Sequence, residues 1–331
     1  MWAEVDPSLL VTKAYRHVTV LRSETIALVN PCADGVYVDC TLGGGGHTEA
    51  LLQACDRCRV IGIDRDPQAV AAATERLRSY GDRFVPVRGA FAELPRIVKR
   101  EGFATVHGVI AYLGLSSAQL DSAERGMSFT HEGPLDMRMD PGLAMTAREL
   151  IESVDQDELA NIIYKFGEER RSRSVARCIK AALEQGRLQT TSDLRRAIVK
   201  ATGPWRIGGV DPATRTFQAL RIVVNQELAQ LESLLQGVAT VLAPNAVVAI
   251  ISFHSLEDRI VKRAFRQRER WEAITKKPVL ASEQERSTNP RSRSAKLRAA
   301  RVVKSSLPEG DAVAVANVAN TSNHISKESR P

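Results

Sequence analysis

Val36-Tyr37-Val38-Asp39-Cys40-Thr41-Leu42-Gly43-Gly44-Gly45-Gly46-His47 is the stretch whose reading decides the fold. An apolar, β-branched run ends in an acid, four glycines follow, and Thr48-Glu49-Ala50-Leu51-Leu52 opens a helical pattern. These residues describe a buried strand, a loop without Cβ atoms and a helix N-terminus. Such a loop lets a ligand lie against bare backbone. Consecutive glycines cost unfolded-chain entropy, so a ligand explains them better than an idle turn does.

Outward from this unit, strands and helices alternate. Arg59–Asp64 is a second strand ending in an acid, Pro67–Tyr80 an alanine-rich helix with proline in its first turn, and Phe84–Val87 a third strand. Phe91–Lys99 reads as a helix and Val106–Leu113 as a fourth strand. Together with the first strand, Val36–Cys40, and first helix, His47–Cys55, this spacing predicts a parallel, doubly wound α/β sheet. From about Ser116 to Trp205 the alternation gives way to helical patterns at Thr146–Ile151, Glu158–Phe166, Glu168–Gln185 and Ser192–Ala201. Ala213–Gln236 reads as one long amphipathic helix, after which Ala246–Phe253 resumes the sheet, followed by a helix over Leu256–Arg268 and a last strand at Arg298–Val303. Upstream, His17–Leu21 is a short extended piece and Ser23–Asn30 a capped helix. The expected organisation is a sheet domain in two parts, residues 1–115 and 213–304, an inserted all-helical substrate-recognition domain at 116–212, and a polar, disordered tail at 305–331.

The bulk numbers exclude several classes. The 331 residues are 44% hydrophobic and 26% charged, the balance of an ordinary globular chain. No apolar run approaches the roughly 18 residues of a membrane span, and Met1-Trp2-Ala3-Glu4-Val5-Asp6 has no secretory pattern. Five scattered cysteines make no disulfide framework, so a cytoplasmic protein is expected, and the lone Cys55/Cys58 pair has no partner ligands for a metal. The net charge of +7 is a mild pull toward polyanions.

Asp64 lies where a carboxylate can accept both ribose hydroxyls of a nucleoside held on the glycine loop. A dinucleotide would want G-x-G-x-x-G, but counting from Gly43 the third glycine is Thr48. S-adenosylmethionine needs acceptors for its ammonium and ribose and donors for its carboxylate, which Asp39, the glycine backbone and Asp64 can supply. The methyl donor is favoured over a nicotinamide dinucleotide, which would make the chain an oxidoreductase.

Eight blocks in order then carry a resemblance. They are Thr41–Thr48 (TLGGGGHT), Ile63–Pro67 (IDRDP), Leu113–Asp121 (LGLSSAQLD), Gly133–Asp140 (GPLDMRMD), Phe166–Arg170 (FGEER), Pro212–Arg221 (PATRTFQALR), Ser252–Arg259 (SFHSLEDR) and Asn289–Arg298 (NPRSRSAKLR). From about His17 to Arg301 the chain resembles the bacterial small-subunit (16S) ribosomal RNA cytosine-N4 methyltransferase family. The resemblance implies a class I S-adenosylmethionine-dependent methyltransferase sheet, Rossmann-like and doubly wound, with a helical domain inserted after the fourth strand. It implies donor binding through Gly45, Gly46 and His47, through Asp64 at the ribose, through Phe91 beside the adenine, and through the segment at Tyr112 together with Gln119. It further implies methylation of the exocyclic amine of one cytosine in the decoding region, with 16S ribosomal RNA in the small subunit as partner and a monomer or homodimer as the working form. At one position the chain departs from the family: Tyr112 stands where the family has aspartate, a neutral phenol in place of an anion. Ala118 replaces a usual proline.

A cytosine amine is a poor nucleophile because its lone pair is delocalised into the ring, so a transferase must polarise and align it in an unstacked base. The candidate catalytic residues are Tyr112, Asp136 and His254; the candidate substrate contacts are Arg138, Ser255, Arg291, Arg293 and Lys296; no metal is expected. Each has a plainer alternative. His254 after an apolar strand can be a structural hydrogen-bonder, Asp136 and Arg138 a salt bridge fixing the insertion, and Glu168, Glu169, Arg170, Arg171 and Arg173 a solvated helix face. Arg215 and Arg221, six apart, do not share a helix face cleanly. The basic runs Lys262–Arg270 and Arg291–Arg301 suit phosphate contact, which positions RNA without reading its sequence. The competing function is a catalytically weakened relative that binds RNA or the subunit as an assembly factor, for which Tyr112 is the motive.

Overall fold

The computed structural model describes residues 19–204 and 210–303; residues 17 and 18 of the expected extended piece, and the tail beyond residue 303, lie outside the described residues. Helix α1 (Arg22–Val29) precedes β1 (Val36–Asp39), α2 (Gly46–Ala54), β2 (Arg59–Asp64), α3 (Pro67–Arg76), β3 (Phe84–Arg88), α4 (Leu94–Arg100) and β4 (Val106–Tyr112). Between β4 and β5 come α5 (Ser117–Asp121), α6 (Ala147–Ser153), α7 (Gln156–Gly167), α8 (Ser172–Glu184), α9 (Thr191–Thr202), α10 (Thr214–Asn225) and α11 (Glu227–Gly237). The chain then forms β5 (Leu242–Ser252), α12 (Ser255–Ala264), β6 (Trp271–Ala273), α13 (Glu283–Thr288) and β7 (Lys296–Val302).

The strands stand in the order β3-β2-β1-β4-β5-β7-β6. The first five run parallel, while β7 is antiparallel to both β5 and β6. This is the expected class I methyltransferase sheet. Its strand order reverses between β1 and β4, which opens a crevice at their carboxyl ends. Residues alternate between the two faces as the strand period requires. Tyr37, Val60, Ile110 and Ala249 pack with Leu51 and Leu52 of α2 and Leu77, while Val38, Ile61, Val109 and Val248 pack with Leu94 and Ile97 of α4 and Leu231 and Leu234 of α11. Burial on both faces explains why β1, β2 and β4 read as continuous apolar runs.

A third core belongs to the helices. Leu150, Leu159, Ile163, Val175, Ile179, Leu194 and Ile198 pack together with Ala213, Phe217, Leu220 and Val224. The changeover between cores therefore falls after α10, not at residue 212 as the sequence suggested. The long helix expected over Ala213–Gln236 is two helices. Gln226 adopts a left-handed conformation (φ 53°) that ends α10 and redirects α11 onto the sheet. Left-handed glutamine gives no glycine signal, and the apolar periodicity runs straight through it.

Other boundaries differ for local reasons. The helix from Pro67 stops at Arg76 and tightens into a 3-10 stretch that turns at Gly81 (φ 53°). The helix expected from Glu168 begins at Ser172, because Glu168 is itself the left-handed cap of α7. Helix α1 has no side-chain N-cap. Instead the Glu285 carboxylate of α13 accepts the Leu21 N–H at 2.9 Å. That bond spans almost the whole chain, and the short elements α5, β6 and α13 carried too little periodicity to be anticipated.

Candidate active site

The glycine loop closes the carboxyl end of β1. Cys40 N–H donates to Ile110 O, Leu42 N–H to Ile63 O and Gly45 N–H to Leu42 O, so the turn is pinned to both neighbouring strands. Gly43 (φ 48°) and Gly45 (φ 77°) supply the left-handed backbone the turn needs. Asp64, at the end of β2, accepts the Gly43 N–H at 2.8 Å on one oxygen and the Asp66 N–H at 2.9 Å on the other. Each oxygen keeps further acceptor capacity, and Asp64 lines the cleft. Burial pushes its carboxyl up to about 6 despite those two backbone bonds.

The cleft beside the loop is lined by Gly43, Gly44, Gly46, His47, Asp64, Tyr112, Gly114, Ser116 and Gln119 from the strand ends and the loops that follow them, and by Met139, Asn225, Glu227, Leu231 and Glu257, with Phe91 packed beside Leu231. Tyr112, at the end of β4, donates its backbone N–H to Thr41 Oγ1 at 2.6 Å. Its ring sits between His47 and Phe253, with centroids at 5.7 and 4.8 Å. Burial pushes its phenol further up, so it is neutral. Gln119 lies in a capping box with Ser116 and donates to Asp66 Oδ2, which Arg125 also grips.

These residues fit S-adenosylmethionine. Asp64 has free acceptor capacity for ribose hydroxyls, Phe91 an apolar ring for the adenine, and the loop presents backbone no side chain obstructs. At Gly46, an added Cβ would stand 1.8 Å from Thr19 Oγ1. Two expected donor contacts are placed elsewhere. Asp39 is buried beneath the loop, where it accepts the Thr41 N–H at 3.1 Å and the Thr48 hydroxyl at 2.8 Å. It shapes the loop from below, its carboxyl raised to about 6 chiefly by burial. Gly45 does not line the cleft, and a side chain there would run into Leu77 and Ala73.

The opposite wall is a charge network. Arg221 makes a two-pronged pair with Glu227 at 2.7 and 2.9 Å. Glu257 Oε2 accepts the Phe253 N–H at 2.8 Å, and its Oε1 lies 3.2 Å from His254 Nε2. Burial works to raise the Glu257 carboxyl, but the bonds from His254 and Phe253 and the charge of Arg221 outweigh it and hold it below the ordinary carboxylate range. Ligand atoms of Glu227, His254 and Glu257 come within 4.8 Å of one another. The cation serving Glu227 is Arg221, whose fork occupies both its oxygens. Asn225 donates to Met137 O and accepts the Met139 N–H, both at 2.7 Å, while Arg65 donates to Asn225 O at 3.1 Å. Glu227, Asn225, Met139 and Arg65 were not singled out as site residues from sequence, because the left-handed Gln226 that places two of them leaves no mark on the periodicity.

The remaining candidates divide. His254 is the N-cap of α12, its Nδ1 3.4 Å from the Glu257 N–H; it supports the wall through Glu257 and does not line the cleft. Ser255 donates to Glu168 Oε2 at 2.6 Å, outside the cleft. Asp136 and Arg138 pair with each other at 2.8 Å, and Arg138 also donates to Leu143 O, so they fix their own loop; only their neighbour Met139 reaches the cleft. The basic run is largely committed within the protein. Arg291 pairs with Asp121 at 2.9 Å, Lys296 and Arg298 share Asp258 at 3.5 and 2.6 Å, and Arg301 pairs with Glu272 at 3.1 Å. Arg293 remains exposed. In strand β7, Lys296 and Arg298 share one face, where Asp258 takes both, and Arg301 points to the other, so a sequence run does not make a surface patch.

Comparison with known proteins gives the family. The model of the MraW methylase family matches residues 14–303. A ribosomal RNA small subunit methyltransferase H of Sorangium cellulosum is 59% identical over 288 residues, which cover 87% of this chain and 91% of that one. The protein of the same name from Picosynechococcus is 48% identical over 286 residues, covering 86% and 96%. Among solved structures, an rRNA methylase from Streptococcus thermophilus superposes with a TM-score of 0.39 at 11% identity, covering 87% of this chain and 98% of that one. No described helix is long and apolar enough to cross a membrane. With a family match over nearly its whole length, the chain belongs to the MraW methylase family.

Proposed function

We propose that this chain methylates the exocyclic N4 amine of one cytosine in the decoding region of 16S ribosomal RNA, with S-adenosylmethionine as donor and the small ribosomal subunit as partner. The observation that carries the proposal is a single cleft with a donor-holding wall on one side and an ionised carboxylate, Glu257, on the other. The names of its relatives, ribosomal RNA small subunit methyltransferase H, support the RNA substrate.

S-adenosylmethionine supplies an electrophilic methyl on a positively charged sulfur. The chain's own residues do the rest. Asp64 and the glycine loop fix the donor's orientation, which is where most of the rate in such a transfer originates. An unstacked base enters between the walls. Neutral Tyr112 offers its phenol as a hydrogen-bond partner at the end of β4, where the family has a carboxylate. Glu257, kept ionised by His254 and the Phe253 N–H, contributes the negative charge on the far wall toward which an amine N–H can point. His254 and Asp136 then act as positioning residues, and Arg138 holds the loop that presents Met139.

The test is to incubate the purified protein with small ribosomal subunits and donor labelled in its methyl group, then map the modified nucleotide. Label on a cytosine amine is expected. The alternative, a weakened assembly factor, is favoured by the neutral phenol at 112: it requires no label from the wild type and transfer restored in Tyr112→Asp. Calorimetry that showed NAD binding without S-adenosylmethionine binding would sink both.

A further inference from the structure

Three separated stretches converge on a groove that the donor cleft does not use. It lies between the helical core and α12, lined among others by Tyr164, Arg170, Arg171, Arg215, Leu256 and Arg259. Its wall joins that of the cleft. Leu256 faces the groove while the next residue, Glu257, faces the cleft. The first turn of α12 therefore contributes to both. The junction is tied: Glu168 accepts from Ser255 at 2.6 Å and pairs with Arg259 at 3.1 Å, binding the loop after α7 to the start of α12.

Two features of the groove point to one class of occupant. The first is apolar surface left open. Four large hydrophobic residues stand exposed among the described residues, and two of them, Tyr164 (63%) and Val210 (50%), line this one groove. Scattered single exposures mean little, but a pair in one concavity calls for a partner. The second is charge. Lys165 and four arginines line the groove against three acids, and each acid is already engaged: Glu168 with Arg259, Glu169 with Arg215 at 3.9 Å, and Asp211 with Arg195 at 2.8 Å. Arg171 spends one donor on Thr202 O and Arg215 one on Glu168 O, which leaves most of their five N–H groups available. A flat exposed ring beside forked cations is the chemistry that holds single-stranded nucleic acid, with bases stacked and phosphates paired.

We infer that this groove seats the single-stranded RNA flanking the target base, with Tyr164 as stacking platform and Arg170 and Arg171 on the phosphates. The inference rests on the RNA-methylating function above and specifies where that substrate lies. A strand running through the groove passes Leu256 on its way to the cleft that Glu257 lines, so nucleotides held on Tyr164 flank the target base. This also revises the sequence view of residues 168–171 as a solvated helix face. They are the loop between α7 and α8, and Glu168 is its anchor.

The test uses the full chain, a short single-stranded RNA carrying one cytosine, and fluorescence anisotropy, which needs no methyl transfer. Tyr164→Ala should weaken RNA binding about tenfold or more, the worth of one base stack, while Tyr164→Phe binds as the wild type does and calorimetric affinity for S-adenosylmethionine is unchanged in both. Arg170→Gln with Arg171→Gln should flatten the dependence of log affinity on log salt by about 0.7 for each phosphate left without its arginine. In methylation of small subunits the same variants should raise KM for RNA with kcat preserved. RNA affinity within twofold of wild type in Tyr164→Ala, or equal damage from Tyr164→Phe, would overturn the assignment and leave the groove to a protein surface. The two levels separate cleanly. RNA binding that depends on Tyr164 without any methyl transfer supports the groove and defeats the enzymatic reading. Transfer indifferent to Tyr164 does the reverse.

Discussion

The two walls of the cleft are built by different means. The heart of the donor wall is local in sequence: Gly43–His47 is one loop, and Asp64 joins it through the Gly43 N–H. This loop is held by backbone bonds to β2 and β4. The opposite wall gathers Met139, Asn225, Glu227 and Glu257 from three remote stretches, and Met139 meets Asn225 across 86 residues of chain. It is held by side chains, chiefly the Arg221–Glu227 pair and the Asn225 clamp. A side chain removed from the first wall should therefore cost binding, and one removed from the second should cost stability.

The largest test of that contrast is Glu227→Ala. It leaves the Arg221 guanidinium, itself only 15% exposed, without its carboxylate. Removing one partner of a buried pair destabilises by about 3–5 kcal/mol. Urea unfolding should show the loss as a lower midpoint, and the bound donor should still be held once the protein is folded. Unchanged stability with collapsed donor affinity would break the comparison.

Asp64→Asn is the counterpart on the donor wall. Hydrogen bonds to a charged acceptor are worth about 1.5–3 kcal/mol, so calorimetry should find donor affinity lower by roughly ten- to a hundredfold. Stability should hold or rise, because burial already strains this carboxylate toward protonation. Asp39→Asn should lose less affinity, since Asp39 acts through Thr41 and Thr48 beneath the loop.

The same carboxylates sharpen the contrast through pH. Asp39 and Asp64 are raised from 3.8 to about 6, mainly by burial. A raised carboxyl favours the folded state when protonated. Its contribution to stability is present below 3.8 and is lost as pH rises through about 6. Donor affinity runs the other way, because the ribose hydroxyls need the ionised form of Asp64, and should fall about tenfold per unit as pH drops below 6. Melting and calorimetry from about neutral pH down to about one unit below that carboxyl's midpoint should show the opposed trends, and Asp64→Asn should remove most of the affinity trend.

How much of this was legible follows from the same division. The strands, the glycine loop and the acid that ends the second strand are local patterns, and Val36–Asp64 displays two strands, the loop and the acid together. Tyr112 was legible as the odd residue and does pack against His47 of the loop. The wall opposite was not. Glu227 reads as an ordinary helix acid until α10 and α11 are seen to part before it, and Arg291, Lys296 and Arg298 read as an RNA-facing run until Asp121 and Asp258 are seen to claim them. Periodicity reports which face of an element is buried, not which distant side chain neutralises a charge.

The smallest effect tests the residue that hides that wall. Gln226 sits at φ 53° between α10 and α11, and its backbone turn presents Asn225 on one side and Glu227 on the other. A non-glycine residue pays roughly 1–2 kcal/mol to stand there, part of which glycine gives back as unfolded-chain entropy. Gln226→Gly should raise the urea midpoint by the equivalent of about 0.5–1 kcal/mol and leave donor affinity unchanged. Gln226 donates its N–H to Val223 O at 3.2 Å, so Gln226→Pro loses that bond and cannot adopt positive φ. It should unseat Asn225 and Glu227 together and produce the stability loss of Glu227→Ala without touching a charged side chain. If Gln226→Gly instead weakened donor binding, the far wall would depend on glutamine's side chain, and backbone geometry alone would not account for its placement.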